Sequence, residues 1–343
     1  MRILIVTGAC KEQVINGVVR TLEQLKDELK KLGHTVSFIT PVNFLTVPLP
    51  KYNDIKIALN VWPKVGRMIQ KELEFAKKNK EKLVIHIATE DTLGYFARRY
   101  CLKNNLKFTT SYHTSFDKYI KLYAPFIPIK IPQKFLKNFH SAAYKTLVTT
   151  KSMKEDLKKI GFDPEKLTVW TRGANHGAFK NPRRINLEYK RPIWLYVGRV
   201  SIEKNIRAFL NLDLEGTKIV VGKGPDLNEL KQEFPNVIFK GEKTNGELAS
   251  YFASADVFVM PSLTDTFGIV IIEGLQCGTP VAAYPVTGPK DILEGTNGGV
   301  LNKDLKVAAL EALKLNRDDC KEIAKKYTWE NCAKIFLANT APN

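Results

Sequence analysis

The stretch PSLTDTFGIVIIEGLQCGTPV, residues 261–281, guides our interpretation of the whole chain. A short polar run is followed by a glycine, four aliphatic residues and a single acid, Glu273. This pattern predicts a helix that begins near Thr266 or Phe267, whose free N–H groups and positive dipole end would form a phosphate site. Glu273 follows Asp265 by eight residues, a little over two helical turns, so both acids are expected to face one cleft. A lone acid in an apolar helix is also common as a structural carboxylate, so this interpretation depends on the rest of the chain.

The composition is typical of a soluble globular protein. With 343 residues the chain is long enough for two domains, and 44% of its residues are hydrophobic and 26% charged. No apolar run reaches the ~18 residues of a transmembrane helix, and the N-terminal residues predict a strand rather than a secretory signal. The five cysteines are scattered without a Cys-x-x-Cys pair, which favours a reducing cytoplasm and no zinc site.

The net charge of +18 is concentrated in one half of the chain. Residues 1–175 contain 31 Lys and Arg against 15 Asp and Glu, a net charge of +16, whereas residues 176–343 contain 22 against 20, a net charge of +2. A basic half indicates an acidic partner, either nucleic acid or an anionic bilayer. The alternative is a lysine-rich surface that is simply solvated.

Strands and helices alternate along both halves of the chain. The pattern begins with a strand over 1–6, a helix over about 18–32 and a strand over 35–40, and it restarts with a strand over 193–197. A helix is also predicted over Ala58–Lys82. Alternation of this kind predicts an α/β fold with two doubly wound domains that face a central cleft. We predict an N-terminal domain over residues 1–180, a second over 190–325 and a C-terminal helical segment over 326–343, with the boundary near 176–190.

Three features of the first half are candidates for function. His113 falls at the carboxyl end of a predicted parallel strand, where open α/β sheets bind ligands; the alternative is a loop histidine without a role. Gly17 precedes a helix where backbone must approach a ligand closely, or where the chain simply turns. Phe116–Phe139 interleaves aromatic and aliphatic residues with five lysines, as membrane-interface segments do. The alternative for this segment is a buried helix pair with lysines that extend outward.

The motifs of the second half carry a resemblance to a known family. GRVSIEKN at 198–205, GKGP at 222–225 and the stretch at 261–281 together resemble the retaining glycosyltransferases of family 4, which have the GT-B fold. The resemblance covers essentially the whole chain. It implies two Rossmann-like domains, with the acceptor bound by the first and the nucleotide-sugar by the second. It also implies that the last helix crosses back to the first domain.

The same resemblance implies roles for particular residues. Arg199 and Lys204 match the pair that holds the diphosphate of the sugar donor, where fixed cations lower the barrier to departure of the nucleoside diphosphate. Asp265 stands where the family commonly has Glu, next to the hydroxyls of the sugar. His113 matches a histidine near the transferred sugar. The residues that match the remaining donor-binding positions are Gly17, Gly198, Gly224, Thr266, Phe267, Gly268 and Glu273. In the family the residue that Glu273 matches accepts hydrogen bonds from the ribose hydroxyls.

No Asp-x-Asp pair of the kind that holds a divalent ion occurs in the sequence. We therefore expect no metal and no cofactor, with Arg199, Lys204 and a helix dipole neutralising the diphosphate instead. No general base is evident. The resemblance to the retaining family implies that the leaving phosphate takes the acceptor proton on the same face of the sugar.

The predicted acceptor is a membrane lipid, because a lipid surface gives the basic first half a purpose. HIATEDTLGYFARRYC at 86–101 and SYHT at 111–114 are also similar to bacterial transferases that glycosylate diacylglycerol. The sequence thus predicts a peripheral enzyme on the inner face of the cell membrane that uses UDP-glucose or UDP-glucuronate. The first alternative is a GDP-mannose-dependent α-mannosyltransferase with a lipid or polysaccharide acceptor. A nucleic-acid-binding protein and a nucleotide-sugar epimerase explain fewer of the motifs, and no nucleic-acid partner is expected.

Overall fold

The computed structural model describes residues 1–13, 16–49, 52–174 and 177–343, and its chain divides into two compact units. The first unit comprises Met1–Lys121, Pro125–Thr171 and Glu330–Asn343. The second comprises Leu122–Ala124 and Arg172–Trp329. The predicted boundary at 176–190 begins at a residue that lies outside the described ranges.

The first unit is built on a parallel sheet. Its strands are β1 (Arg2–Val6), β2 (Thr35–Ile39), β3 (Leu45–Leu49), β4 (Tyr52–Leu59), β5 (Leu83–Ile87), β6 (Thr109–Tyr112), β7 (Thr146–Val148) and β8 (Leu167–Val169). Six of them form the order β2-β1-β5-β6-β7-β8, with every neighbouring pair parallel. The chain first runs outward from β1 to β2 and then returns to the other side of β1 at β5. Ligands of open α/β sheets bind at the carboxyl ends of the strands beside such a reversal.

The helices of this part of the chain include two pieces in the lysine-rich segment. They are α1 (Gly17–Lys31), α2 (Lys64–Lys78), α3 (Thr92–Lys103), α4 (Phe116–Tyr123), α5 (Lys130–Ser141) and α6 (Lys151–Lys159). The helix predicted over Ala58–Lys82 is confirmed over Lys64–Lys78, but its predicted start is wrong, because Ala58 and Leu59 end strand β4, which pairs antiparallel with β3. An apolar run with β-branched residues does not by itself distinguish a strand from a buried helix.

The second unit repeats the parallel pattern. Its strands are β9 (Ile193–Val197), β10 (Thr217–Val221), β11 (Ile238–Phe239), β12 (Val257–Met260), β13 (Val281–Ala283) and β14 (Gly299–Leu301). They form the order β11-β10-β9-β12-β13-β14, again with parallel neighbours throughout. The order reverses between β9 and β12, so the loops that follow these two strands flank the expected ligand position.

Helices cover both faces of the second sheet. They are α7 (Gly177–Lys180), α8 (Ile206–Leu210), α9 (Leu227–Glu233), α10 (Asn245–Ser254), α11 (Ile269–Gln276), α12 (Pro289–Leu293), α13 (Leu305–Ala312) and α14 (Arg317–Ala324), with α15 (Trp329–Ala338) following. Alternate residues of β9 enter different cores, since Leu195 packs with Phe252 and Phe258, whereas Trp194 packs with Phe209. The predicted α/β architecture of two doubly wound domains is therefore confirmed.

The final helix contributes to the core of the first unit. In α15, Phe336 is fully buried and packs against the ring of Trp170, which follows β8. The indole N–H of Trp170 donates a hydrogen bond to the carbonyl oxygen of Cys332, at 2.9 Å. The last residues of the chain therefore help to fix the carboxyl end of the first sheet.

Two further findings bear on the predicted class of protein. No helix among the described residues is long and apolar enough to span a bilayer. All five cysteines are free and buried. Burial raises the pKa of the Cys101 and Cys320 thiols to about 12, so both stay protonated at neutral pH.

Candidate active site

The candidate site lies where the order of strands reverses in the second sheet. Gly198–Asn205 follows β9 and Pro261–Gly268 follows β12, and these two strands are neighbours through the pairing of Trp194 with Val257. Parallel strands place their carboxyl ends at one edge of a sheet. The sheet thus brings together two motifs that lie about 60 residues apart in the chain.

Three side-chain hydrogen bonds tie these two loops together. The Lys204 ammonium donates to Asp265 Oδ1 at 2.6 Å, and both side chains are mostly buried. The Asn205 amide donates to the carbonyl oxygen of Pro261 at 3.0 Å, and the Thr264 hydroxyl donates to that of Glu203, also at 3.0 Å. The cation of Lys204 is therefore held in one place without a ligand, which is the preorganisation that electrostatic catalysis requires.

Arg199 is carried by a loop that is fixed at its backbone. The carbonyl oxygen of Arg199 accepts a hydrogen bond from the Tyr196 hydroxyl at 2.6 Å. The next residue, Val200, donates its N–H to the carbonyl oxygen of Lys223 at 2.9 Å, which joins this loop to the GKGP turn after β10. A Cβ at Gly224 would lie 2.1 Å from the carbonyl oxygen of Val200, so only glycine allows the two loops to meet this closely.

Two buried hydroxyls beside the ion pair were not identified from the sequence. Ser201 and Ser262 are almost fully buried, and neither Oγ has a hydrogen-bond partner among the described residues. Buried hydroxyls are normally paired, so these two are exceptions at the point where the two loops pack together. Their positions inside the motifs at 198–205 and 261–281 were the available signal.

Helix α11 begins later than the sequence predicts. Its first residue is Ile269, and not Thr266 or Phe267, because Gly268 has a φ of +84° in the left-handed region, where a helix cannot continue. Thr266 and Phe267 are buried in the loop before the helix, so their backbone lies next to the N-terminus of α11. The start of this helix therefore lies two or three residues later than predicted.

Glu273 lies within α11 and is fully buried. Burial, with the Glu273 carboxylate nearby, raises the pKa of the Cys277 thiol one turn further along the helix. Near the GKGP turn, burial and the negative charges of Glu229 and Glu203 raise the pKa of Asp226. Acidic side chains therefore lie in the same motifs as the basic ones, and the Lys204–Asp265 ion pair is one place where the two kinds of charge neutralise each other.

His113 and Gly17 belong to the first unit. His113 directly follows β6, and its Nε2 lies 2.8 Å from the Ser111 hydroxyl oxygen. The His113 ring also contacts the ring of Trp170, with 5.9 Å between centroids. Gly17 is the first residue of α1, whose N-cap is Asn16, and the two residues before that cap lie outside the described ranges. Each unit therefore presents predicted site residues at the carboxyl edge of its own sheet or at a helix start.

A metal site is not evident near these residues. In the described part of the chain no three His, Cys, Asp or Glu side chains are grouped so that they could hold a metal ion. Arg199 and Lys204 each contribute a cation of a kind that suits a phosphate ligand.

The segment Phe116–Phe139 presents lysines and large apolar side chains to solvent. Phe126 is 83% exposed and Ile131 is 60% exposed, and Phe135 on the same face of α5 is also exposed. The one acid of the segment, Asp117, is instead buried and accepts a hydrogen bond from the Gln133 side chain at 3.1 Å. The solvent-facing charges of this segment are therefore all positive, and the lysines that supply them are Lys118, Lys121, Lys130, Lys134 and Lys137.

Comparison with known families agrees with this arrangement. Residues 15–177 match the family model described as Glycosyltransferase Family 4, and residues 191–316 match the one described as Glycosyl transferases group 1. Together the two models account for most of the first sheet and nearly all of the second.

Curated relatives are distant but extensive. The chain is 28% identical to a sulfoquinovosyl transferase of Arabidopsis thaliana over 311 residues, which cover 82% of this chain and only 59% of the plant protein. It is 26% identical to an alpha-monoglucosyldiacylglycerol synthase of Streptococcus pneumoniae, over 98% of this chain and 83% of that protein. It is 25% identical to a GDP-mannose-dependent alpha-mannosyltransferase of Mycobacterium tuberculosis, over 88% of this chain and 83% of that protein.

Solved structures share the fold over nearly the full length. A sucrose-phosphate synthase of Thermosynechococcus elongatus superposes with a TM-score of 0.75 at 19% identity, over 98% of this chain and 97% of the other. HepE of Anabaena, solved in complex with UDP-glucose, superposes with a TM-score of 0.69 at 15% identity, over 98% and 99% of the two chains. At these identities the likeness concerns the fold alone.

Proposed function

Because the chain belongs to the glycosyltransferases of the GT-B fold, we propose that it moves a hexose from a UDP-sugar to diacylglycerol in a membrane surface. The sugar donor is UDP-glucose or UDP-glucuronate, and the transfer retains the configuration of the sugar. The observation that carries the proposal is the Lys204–Asp265 pair, held at 2.6 Å beside the loop of Arg199 where the strand order reverses.

In this proposal Arg199 and Lys204 bind the diphosphate and stabilise the charge that grows on it as it departs. Asp265 orients the Lys204 ammonium through one oxygen, and a carboxylate is able to accept a sugar hydroxyl at the same time. The buried Glu273 accepts hydrogen bonds from the ribose.

The bond changes balance without a protein nucleophile. The bond from the anomeric carbon to the phosphate oxygen breaks, and a bond from the same carbon to the acceptor hydroxyl oxygen forms on the same face of the ring. The acceptor proton passes to the departing phosphate oxygen, so that UDP leaves as the protonated product. The chain's own residues hold and neutralise the diphosphate during this exchange, and His113 orients the sugar.

A product analysis tests the proposal. The protein is incubated with labelled UDP-glucose, UDP-glucuronate and GDP-mannose in turn, each with vesicles that contain diacylglycerol, and the lipid extract is analysed. A hexosyl-diacylglycerol formed from one of the UDP-sugars is the expected product. Transfer only from GDP-mannose would favour the second candidate, an α-mannosyltransferase, which the mycobacterial relative supports. Release of free sugar without any transfer to lipid would contradict the lipid acceptor.

The proposal includes independence from metal ions. We expect initial rates to be unchanged after dialysis against EDTA, because Arg199 and Lys204 provide the positive charge that a divalent ion provides elsewhere. The rate is measured with and without added Mg²⁺ or Mn²⁺ at equal ionic strength. A rate abolished by chelation and restored by either ion would show that the diphosphate is bound through a metal.

The proposed membrane contact is made by the segment Phe116–Phe139. Each lysine near an anionic surface contributes about 1 kcal/mol, so replacing Lys130, Lys134 and Lys137 by Ser is expected to weaken binding by about 100-fold at low salt. This part of the binding falls as salt rises, since the Debye length shrinks from ~10 Å at 0.1 M to ~3 Å at 1 M. Replacing Phe126 and Ile131 by Ser should remove the part that resists salt, because apolar insertion is not screened.

Cosedimentation with phosphatidylglycerol vesicles over a salt series measures both parts. The matched control replaces three exposed lysines of the second unit, Lys314, Lys321 and Lys325, each of which pairs with an acid three residues earlier in the chain. This control changes the net charge by the same amount and should bind like the wild type. Equal losses in both triple variants would mean that the attraction depends on total charge and not on this segment.

A further inference from the structure

A chain of hydrogen bonds between buried side chains runs through the first sheet to His113. The Thr109 hydroxyl oxygen lies 2.9 Å from His86 Nδ1, and His86 Nε2 lies 3.1 Å from the Ser111 hydroxyl oxygen. The same oxygen lies 2.8 Å from His113 Nε2. His86, Thr109 and Ser111 are fully buried, whereas His113 is partly exposed at the carboxyl end of β6.

We propose that His86 and Ser111 are positioning residues, which fix the ring orientation and the tautomer of His113 during sugar transfer. The proposal rests on the proposed function for the role of His113, and it concerns two residues to which the sequence motifs assign nothing. Neither residue touches the substrate in this account. Both act through the one histidine that does.

The proton on Ser111 couples the two histidines. A serine hydroxyl has a single proton, and the Ala88 carbonyl oxygen, 3.4 Å from the Ser111 hydroxyl oxygen, is the most distant of its three partners. Because the two imidazoles are nearer, Ser111 donates to one of them and accepts from the other. If Ser111 donates to His113 Nε2, then His86 Nε2 carries a proton and the neutral His113 ring is protonated at Nδ1. If Ser111 donates to His86 Nε2, then His113 is protonated at Nε2. The tautomer of His113 therefore depends on that of His86, 27 residues earlier in the chain.

The surroundings of His86 hold its ring in one orientation. Phe336 of α15 meets the ring edge-on, with 5.0 Å between centroids, and Trp170 lies 6.1 Å away. Trp170 also contacts the His113 ring, so the same indole supports both histidines. A fully satisfied polar network in a low-dielectric core is rigid. The network therefore also restrains His113, the partly exposed histidine at its end.

A purely structural explanation accounts for less of this arrangement. The strand LVIHI is buried on every residue, so an aliphatic side chain at position 86 would avoid the cost of burying two ring nitrogens. A second buried histidine in the same unit, His140, is an example of a histidine whose hydrogen bonds serve the fold alone. Its ring bonds Thr110 and the side chain of Glu90. Of these two networks among the described residues, that of His86 extends to a predicted site residue.

Nitrogen NMR of the histidine rings tests the coupling without any substrate. The chain has five histidines, which makes assignment by single substitution practical. In the wild type we expect His113 to show one fixed neutral tautomer. In Ser111→Ala we expect averaging between the two tautomers, and kcat should fall by about 10-fold or more because a misplaced contact to the sugar costs transition-state stabilisation. Ser111→Thr keeps the hydroxyl and should restore the single tautomer.

The neighbouring residue on the same strand provides the control. Thr110→Val also removes one buried hydroxyl from β6, but Thr110 bonds His140 and Thr146 and not His113. Its His113 spectrum and its kcat should match those of the wild type. Should Ser111→Ala be unstable, His86→Phe provides a second variant, because it keeps the ring contacts with Phe336 and Trp170 and removes both nitrogens.

The outcomes separate this inference from the proposed function. An unchanged His113 tautomer in folded Ser111→Ala and His86→Phe would overturn the coupling, and so would equal changes in Thr110→Val. A changed tautomer with unchanged kcat would overturn the part that concerns catalysis. In that case His113→Ala is measured as well. If its kcat is also that of the wild type, the failure lies in the role given to His113 by the proposed function and not in the hydrogen-bond chain.

Discussion

Lys204→Ala is expected to lower kcat by about 100-fold or more, and Arg199→Ala by a similar factor, while both proteins remain folded. The leaving diphosphate gains negative charge as its bond to the sugar breaks, and each substitution removes one fixed positive charge from that position. For Lys204 the structure adds a second cost. The Asp265 carboxylate, now 2.6 Å from the ammonium, would be left without its cation where a second anion must bind.

An ion pair far from the site provides the matched control. Lys306 contacts Asp213 at 2.9 Å on the exposed surface of the same unit, so Lys306→Ala also deletes one ammonium from a Lys–Asp pair. Its kcat and its KM for the sugar donor should stay at wild-type values. Steady-state kinetics separate binding from turnover, since loss of a contact made only in the transition state lowers kcat and kcat/KM together. Near wild-type turnover in folded Lys204→Ala would remove the basis for assigning the diphosphate site.

The location of this site was within reach of sequence reasoning, but its internal contacts were not. Repeated strand and helix patterns predict parallel sheets, and the motifs at 198–205 and 261–281 fall after strands. No short stretch of the sequence predicts that β9 pairs with β12 instead of β11, because the packing of helices and strands across the whole sheet decides that pairing. The bond between Lys204 and Asp265 depends on this pairing.

Two errors from the sequence have the same physical origin. The helix expected to start near Thr266 starts at Ile269, because the loop before it is anchored through Asn205 and Thr264 and ends in the left-handed Gly268. The helix expected over Ala58–Lys82 is present only over Lys64–Lys78, because antiparallel pairing with β3 makes Ala58 and Leu59 the end of a strand. In both cases a tertiary contact overrides local preference.

His86 shows a different limit. A single polar residue in the apolar strand LVIHI indicates a buried hydrogen-bonded side chain, and that much is visible in the sequence. Its partners Thr109 and Ser111 lie on the next strand of the sheet and are only two residues apart, which is the period of a strand. The link to His113 required the observed register of β5 and β6.

Gly224→Ala is the second substitution with a large expected effect, and it tests the geometry of the site without changing a charge. A Cβ at this position would lie 2.1 Å from the Val200 carbonyl oxygen and 2.7 Å from the Val200 nitrogen. Both are backbone atoms, so no side-chain rotation can relieve the overlap. These loops are joined by Val200 N–H to Lys223 O at 2.9 Å and by Asp226 N–H to Val200 O at 3.2 Å. The methyl group must therefore separate the loops and move Arg199, which precedes Val200.

We expect kcat/KM for the sugar donor to fall by about 100-fold in Gly224→Ala, since a shift of about 1 Å in a positioning group costs that much. The free energy of unfolding should fall by about 1–3 kcal/mol, as overpacking in other cores does. Kinetics and urea unfolding measure the two effects. The control is Gly246→Ala in α10, where the nearest atom to the new Cβ is 3.7 Å away and helix propensity favours alanine by up to about 1 kcal/mol. If Gly224→Ala turns over like Gly246→Ala, the close approach of the two loops does not position Arg199, and the cation must be held by its side-chain contacts alone.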